Sequence, residues 1–102
     1  MGNRLNLDNM LRGLIGDEGK VYFQPPPSLK MQFPCIVYER VRINTDFADN
    51  KPYHLQKIYQ VTYINTDPDS EIPMKIASLP CCVFEREYTS ENKYYNVFRL
   101  AY

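Results

Sequence analysis

Apolar and polar residues alternate most regularly between Tyr53 and Asn65. Tyr53, Leu55, Tyr59, Val61 and Tyr63 share one side of that segment. His54, Gln56, Gln60 and Thr62 share the other, interrupted by Ile58 and Ile64. A period of two is the mark of a half-buried strand, apolar inward and polar outward. A strand of this length spans roughly 40 Å at about 3.3 Å per residue, more than a small core needs. It is expected to form a long hairpin with the preceding strand, Cys35 to Ile43, across a polar loop, Asn44 to Pro52. The far end of that hairpin is expected to project and meet something.

The period changes elsewhere. Leu5, Leu7, Met10, Leu11, Leu14 and Ile15 recur at steps of three and four, which predicts an amphipathic helix over Arg4–Ile15, ended by Gly16. Asn3 caps this helix, or Asp8 caps a shorter version. Val21–Phe23 reads as a short strand, and Pro25-Pro26-Pro27 stops any ladder after it, because proline has no N–H to donate. Glu71–Leu79 places Ile72, Ile76 and Leu79 on one helical face. Pro73 fits only its first turn, so the start is expected at Asp69 or Ser70. Strands follow at Cys82–Glu87 and Tyr94–Tyr102, around a polar turn at Tyr88–Lys93. The order is α-β-β-β-α-β-β. It predicts an α+β domain over residues 1–102, with a mostly antiparallel twisted sheet, a long β-hairpin and two short helices packed on one face.

Composition narrows the function. Lysine and arginine number 12 and aspartate and glutamate 12, so the net charge is zero. That speaks against an electrostatic footprint for nucleic acid or anionic membrane. No apolar run is long enough to span a bilayer. Met1–Gly16 lacks the apolar core and cleavage site of a signal peptide, so folding in the cytosol is expected. Tyrosine is abundant, with nine copies, and tyrosine suits both strands and protein interfaces.

Chemistry is harder to find. Cys35, Cys81 and Cys82 are an odd set with one adjacent pair, unlike a secreted disulfide framework, and buried free thiols are expected. A metal site would need them to converge with His54, and no CxxC or HxxxH spacing supports this. Asp67, Asp69 and Glu71 can be read as a hard-cation site, but helix capping accounts for them more simply. One histidine, and no glycine-rich phosphate loop, select no catalytic group or cofactor. The expectation is a non-enzymatic interaction module. Its partner contacts are expected at Asp46, Phe47, Asp49, Asn50 and Lys51 of the loop and at Tyr53, Tyr59 and Tyr63 of the strand. Phe47 is the odd residue of that loop, either a partner contact or folded back on its own hairpin.

Several runs together resemble one family. Phe33-Pro-Cys-Ile-Val-Tyr38 opens a strand after a proline-rich lead. Tyr59-Gln-Val-Thr-Tyr63 is followed by Asp67-Pro-Asp-Ser-Glu-Ile-Pro73 and a short helix. Leu79-Pro-Cys81 leads to Phe84-Glu-Arg86, and the chain closes on Asn96-Val-Phe-Arg-Leu100. From about Val21 to Tyr102 the chain resembles the tail-completion, or tail-terminator, proteins of tailed bacteriophages.

That resemblance implies a virion protein at the tail–neck junction, made in the host bacterial cytoplasm. It implies a homo-oligomeric, usually six-membered ring on the head-proximal end of the tail. The ring would end tube polymerisation and offer the head-side connector a docking surface, with the tail-tube protein on its other face. It implies binding without turnover, with no cofactor, no membrane and no sequence-specific nucleic acid, DNA passing only through the lumen. Arg40, Arg42, Lys57 and Arg99 are candidates for lumen or rim charges. The alternatives are another neck component, such as a head-closure or connector protein, a single-stranded nucleic-acid binder using a tyrosine-bearing sheet face, and a small hydrolase.

Overall fold

The computed structural model describes residues 4–16, 19–26, 28–48, 51–67 and 69–101, and only the backbone at 42, 44–48 and 51–56. Two helices and five strands follow in the expected order: α1 (Arg4–Ile15), β1 (Lys20–Phe23), β2 (Cys35–Ala48), β3 (Lys51–Asn65), α2 (Ile72–Ala77), β4 (Cys82–Ser90) and β5 (Lys93–Ala101). The strands form one sheet in the order β1-β2-β3-β5-β4. Only β1 and β2 run parallel; the other neighbours are antiparallel.

The four-residue repeat of α1 explains its seat. Leu7, Leu11 and Ile15 lie on one stripe and are buried, whereas Leu5, off that stripe, is 62% exposed. Gly16 ends the helix at φ 80°, and its N–H donates to the carbonyl of Arg12 at 3.1 Å. A left-handed residue there costs glycine nothing. Ile36 and Tyr38 of β2, Tyr59, Val61 and Tyr63 of β3, Phe98 and Leu100 of β5 and Ile76 of α2 complete the core. Ile72, Leu79 and Cys82 pack at its margin.

The connection from β1 to β2 crosses the opposite face of the sheet. Val21 is in the core, so Tyr22 points away from the helices. Its hydroxyl accepts the N–H of Gln32 at 3.0 Å. Lys93, on the same far face, places its Nζ 4.7 Å from the ring centre of Phe33.

The structure lengthens the expected strands. Asn44–Pro52 is mostly strand rather than loop, since β2 continues to Ala48 and β3 begins at Lys51. The polar residues there form a paired ribbon, and polarity on both faces does not prevent pairing outside a core. The turn expected at Tyr88–Lys93 contracts to Glu91-Asn92, at φ 52° and 63°, with Ser90 and Lys93 paired across it. Two left-handed residues closing a hairpin follow the right-handed twist of the flanking strands.

Helix α2 is shorter than expected, and its cap differs. Glu71 occupies the N-cap position without a side-chain cap bond. Asp67 and Ser70 organise the preceding turn instead. Asp67 Oδ1 accepts the N–H of Asp69 at 2.9 Å, and Ser70 Oγ accepts the N–H of Ile72 at 3.3 Å. Buried Asn65 donates from Nδ2 to the Asp67 carbonyl at 2.7 Å, fastening the turn to the end of β3.

Candidate functional site

Besides the outer edge of the four-residue β1, two parts of the sheet have backbone groups without a strand neighbour among the described residues. β1 pairs with β2 only from Cys35 to Tyr38. β5 pairs with β3 only as far as Ile58, opposite Ala101. Beyond those points, among the described residues, β2 and β3 pair only with each other, from Ile43 opposite Lys57 to Ala48 opposite Lys51. This two-stranded arm reaches about 20 Å past the body at about 3.3 Å per residue. It accounts for the long axis of a molecule measuring 51 × 29 × 24 Å. Bulges between Arg40 and Arg42 and between Asp46 and Phe47 interrupt its register. Such bulges increase the local twist of a ribbon. Val41 and Ile43, at the root of the arm, are exposed.

The second part is the outer edge of β4. It is nine residues long and has β5 on one side only. Val83 is 66% exposed, Phe84 49% and Tyr88 42%. Phe84 meets Phe98 edge-on, with ring centres 5.5 Å apart, on the helix side of the sheet. Tyr88 stacks on Tyr95 at 4.8 Å on the far side, beneath the Arg86 guanidinium. A bulge between Phe84 and Arg86 and the run Glu85-Arg86-Glu87 interrupt the edge. Bulges and charges are the devices by which proteins keep an edge from pairing indiscriminately.

The two parts meet. A groove of about 370 Å³ lies at the arm's root, lined by Ile58, Val83, Glu85, Arg99 and Ala101 among others. Its rim carries the Arg99–Glu85 ion pair at 3.4 Å. Both partners are solvent-accessible, so the pair contributes little to stability. What this surface can do is donate and accept main-chain hydrogen bonds along two open edges. Among the described residues, no cluster of three or more His, Cys, Asp or Glu is placed to hold a metal ion, and no helix is long and apolar enough to cross a membrane.

The expected contact residues separate sharply. Tyr59 and Tyr63, expected to face a partner, are 1% and 3% exposed and belong to the chain's own core. Their positions alternate with Val61 onto the helix-covered face, and the Tyr63 hydroxyl is 3.2 Å from Ser70 Oγ beneath the β3–α2 turn. Arg40 is exposed on β2, Lys57 is half-buried, and Arg99 lies on the far face with Glu85. Asp49 and Asn50 lie outside the described residues, as do the side chains of Asp46, Phe47, Lys51, Tyr53, His54 and Arg42. The edge residues Val83, Phe84 and Tyr88 were not singled out by sequence. Their signal was the irregular Val-Phe-Glu-Arg-Glu-Tyr run, in which neither face is consistently apolar.

The cysteines also divide. Cys35 is fully buried, and burial pushes its thiol up to about 11. Cys82 is half-buried, with its thiol raised for the same reason. Cys81, expected to be buried, is exposed at φ 59° in the bend leading into β4. No protein-family model and no curated protein sequence matches the chain.

Proposed function

We propose that this chain is a structural virion protein that forms a ring at the head-proximal end of a bacteriophage tail. There it ends tube polymerisation and provides the docking surface for the head connector. The observation that carries the reading is the projecting β2–β3 arm beside an open β4 edge. A small α+β body with a protruding ribbon and a long free edge on β4 is suited to a repeating, head-to-tail contact. Such a contact closes into a ring when its rotation closes. The resemblance of the chain to tail-completion proteins supplies the location. The open edges supply a physical means of assembly that needs no catalytic group.

The test is particle morphology in a phage lacking this chain, read by electron microscopy. Tails of irregular or excessive length that fail to join heads are expected, and adding back the purified protein restores joining. Normal-length tails with heads attached overturn the reading. Tails of normal length left without heads place the protein on the capsid side of the neck instead.

A further inference from the structure

We propose that the free β2 edge of the arm in one copy adds to the β4 edge of the next copy, so that the sheet continues from subunit to subunit. The occupant of the β4 edge is therefore a second copy of this chain. Three observations select it. First, the ribbon beyond Ile43 and Lys57 has no third strand among the described residues. A two-stranded hairpin alone is marginal in water, and one more strand stabilises it. Second, the free lengths overlap. β2 runs without a β1 strand neighbour from Glu39 to Ala48, with the Arg40 N–H donating to Gln24 Oε1 at 3.4 Å. Seven of the nine residues of β4, Cys82–Tyr88, lie opposite Thr45–Glu39 in the antiparallel register that sets Glu85 against Arg42. Third, the charges agree. The exposed edge of β4 reads Glu85-Arg86-Glu87, and the start of the free β2 edge reads Arg40-Val41-Arg42. In antiparallel register, Glu85 and Glu87 stand opposite Arg42 and Arg40, and Phe84 opposite Ile43. Opposite charges across neighbouring strands favour the pairing, and like charges oppose it.

The pairing also explains the exposed apolar positions. Ile43, Phe84 and Val83 lie at or beside this junction and are each about half or more exposed in the single chain. The added strand covers the groove at the arm's root, where Val83 and Ile58 already form an apolar wall. Each copy uses its arm once and its β4 edge once, so the contact is heterologous and propagates in one direction. The inference rests on the ring reading only for closure; the strand pairing stands by itself.

Charge reversal tests it, with native mass spectrometry as the readout over a concentration series. One variant carries Arg40→Glu and Arg42→Glu, the other Glu85→Lys and Glu87→Lys. Each alone juxtaposes like charges and is expected to assemble about tenfold or more weakly than the unaltered chain. Mixed in equal amounts, the two restore assembly, because each supplies the edge the other needs, and the oligomers contain both chains alternately. The four substitutions combined in one chain also restore it.

Either variant assembling like the unaltered chain overturns the proposal. So does a mixture that stays monomeric while circular dichroism shows both chains folded, and so does an unaltered chain that is monomeric throughout. Failure of the virion role is read separately. A chain that pairs arm to edge but leaves tail length and head joining unchanged sinks that role and leaves this contact standing.

Discussion

The buried ring of Tyr38 on β2 donates from its hydroxyl to Asp8 Oδ2 on α1 at 2.7 Å, fastening the first helix to the sheet. Arg12 pairs with the other carboxylate oxygen and also donates to the Val21 carbonyl at 3.3 Å. Arg4 donates to the Tyr38 hydroxyl at 3.4 Å and lies over the Phe23 ring. Asp8 is thus the acceptor around which α1, β1 and β2 meet.

Stability should therefore depend on pH at both extremes. Burial alone would raise the Asp8 pKa, but the Tyr38 hydroxyl, Arg12 and Arg4 outweigh it and hold the carboxyl below its usual range. A depressed native pKa contributes stability that is present above the ordinary carboxylate range and lost as pH falls through the native value. Tyr38 behaves oppositely. Burial, reinforced by Asp8, pushes it up to about 12. Its contribution is complete below the unfolded value near 10 and is lost as pH rises toward 12. Urea midpoints across pH should fall at both ends, and the acid fall should shrink in Asp8→Asn. Tyr38→Phe should cost about 1 kcal/mol. Asp8→Ala should cost about 1–3 kcal/mol, because it strands a buried hydroxyl. A reversed ranking would mean that Asp8 is not the acceptor that matters.

The β4–β5 turn offers a stabilising change. Glu91 and Asn92 both adopt left-handed φ, which glycine and asparagine tolerate and glutamate does not. Glu91→Asn with Asn92→Gly should raise stability by about 1 kcal/mol, seen as a higher melting temperature with unchanged folded spectra. No gain would mean that the turn relaxes away from this conformation in solution.

That turn also shows where the sequence stopped being legible. Hairpin turns announce themselves by Asn-Gly or Asp-Gly, and Glu91-Asn92 carries neither signal, so the tight turn read as a longer polar loop. The same happened at Asn44–Pro52, where polar residues mark a ribbon that leaves the body rather than a break in pairing. Element order was legible because it depends on burial. Leu7, Leu11 and Ile15 repeat at four, Tyr59, Val61 and Tyr63 at two, and both patterns face one core. The surface was not legible, since periodicity gives a tyrosine's face but not what covers it. Tyr59 and Tyr63 looked like anchors for a partner, yet α2 and the β3–α2 turn close over their side of the sheet. The open edge of β4 became evident only when β5 was found between it and β3.

The three thiols should react in a fixed order. Alkylation of the native protein, followed by peptide mass spectrometry, should modify Cys81 first and Cys82 more slowly. Cys35 should react only as the chain unfolds, because burial both shields it and disfavours its thiolate. Denaturant should bring the three rates together. If Cys35 reacted as fast as Cys81 in the native state, the edge of the core beside β1 would have to be open.

The last prediction separates the arm from the body. The core that joins Leu7, Leu11, Ile36, Tyr38, Tyr59, Phe98 and Leu100 is built from residues outside 44–56, and both helices pack on sheet that β1 and β5 also flank. Ile43 and Lys57 face each other across the ribbon. Replacing residues 44–56 with an Asn-Gly link therefore removes the arm at a place where its strands are already paired. The shortened chain should keep its far-ultraviolet spectrum per folded residue and melt cooperatively, since those core residues are all retained. Its assembly should weaken, because Asn44 and Thr45, which stand opposite Val83 and Cys82, are gone and only Glu39–Ile43 remain for the neighbouring β4 edge. The protein should stay monomeric at concentrations where the full chain is oligomeric, and it should not poison assembly of the full chain at low ratios. At high ratios it should cap growing contacts, since its β4 edge still accepts a full strand but it offers only a shortened one in return. Light scattering of mixtures reads both regimes. A shortened chain that assembles as before would show that the arm reaches toward something other than another copy.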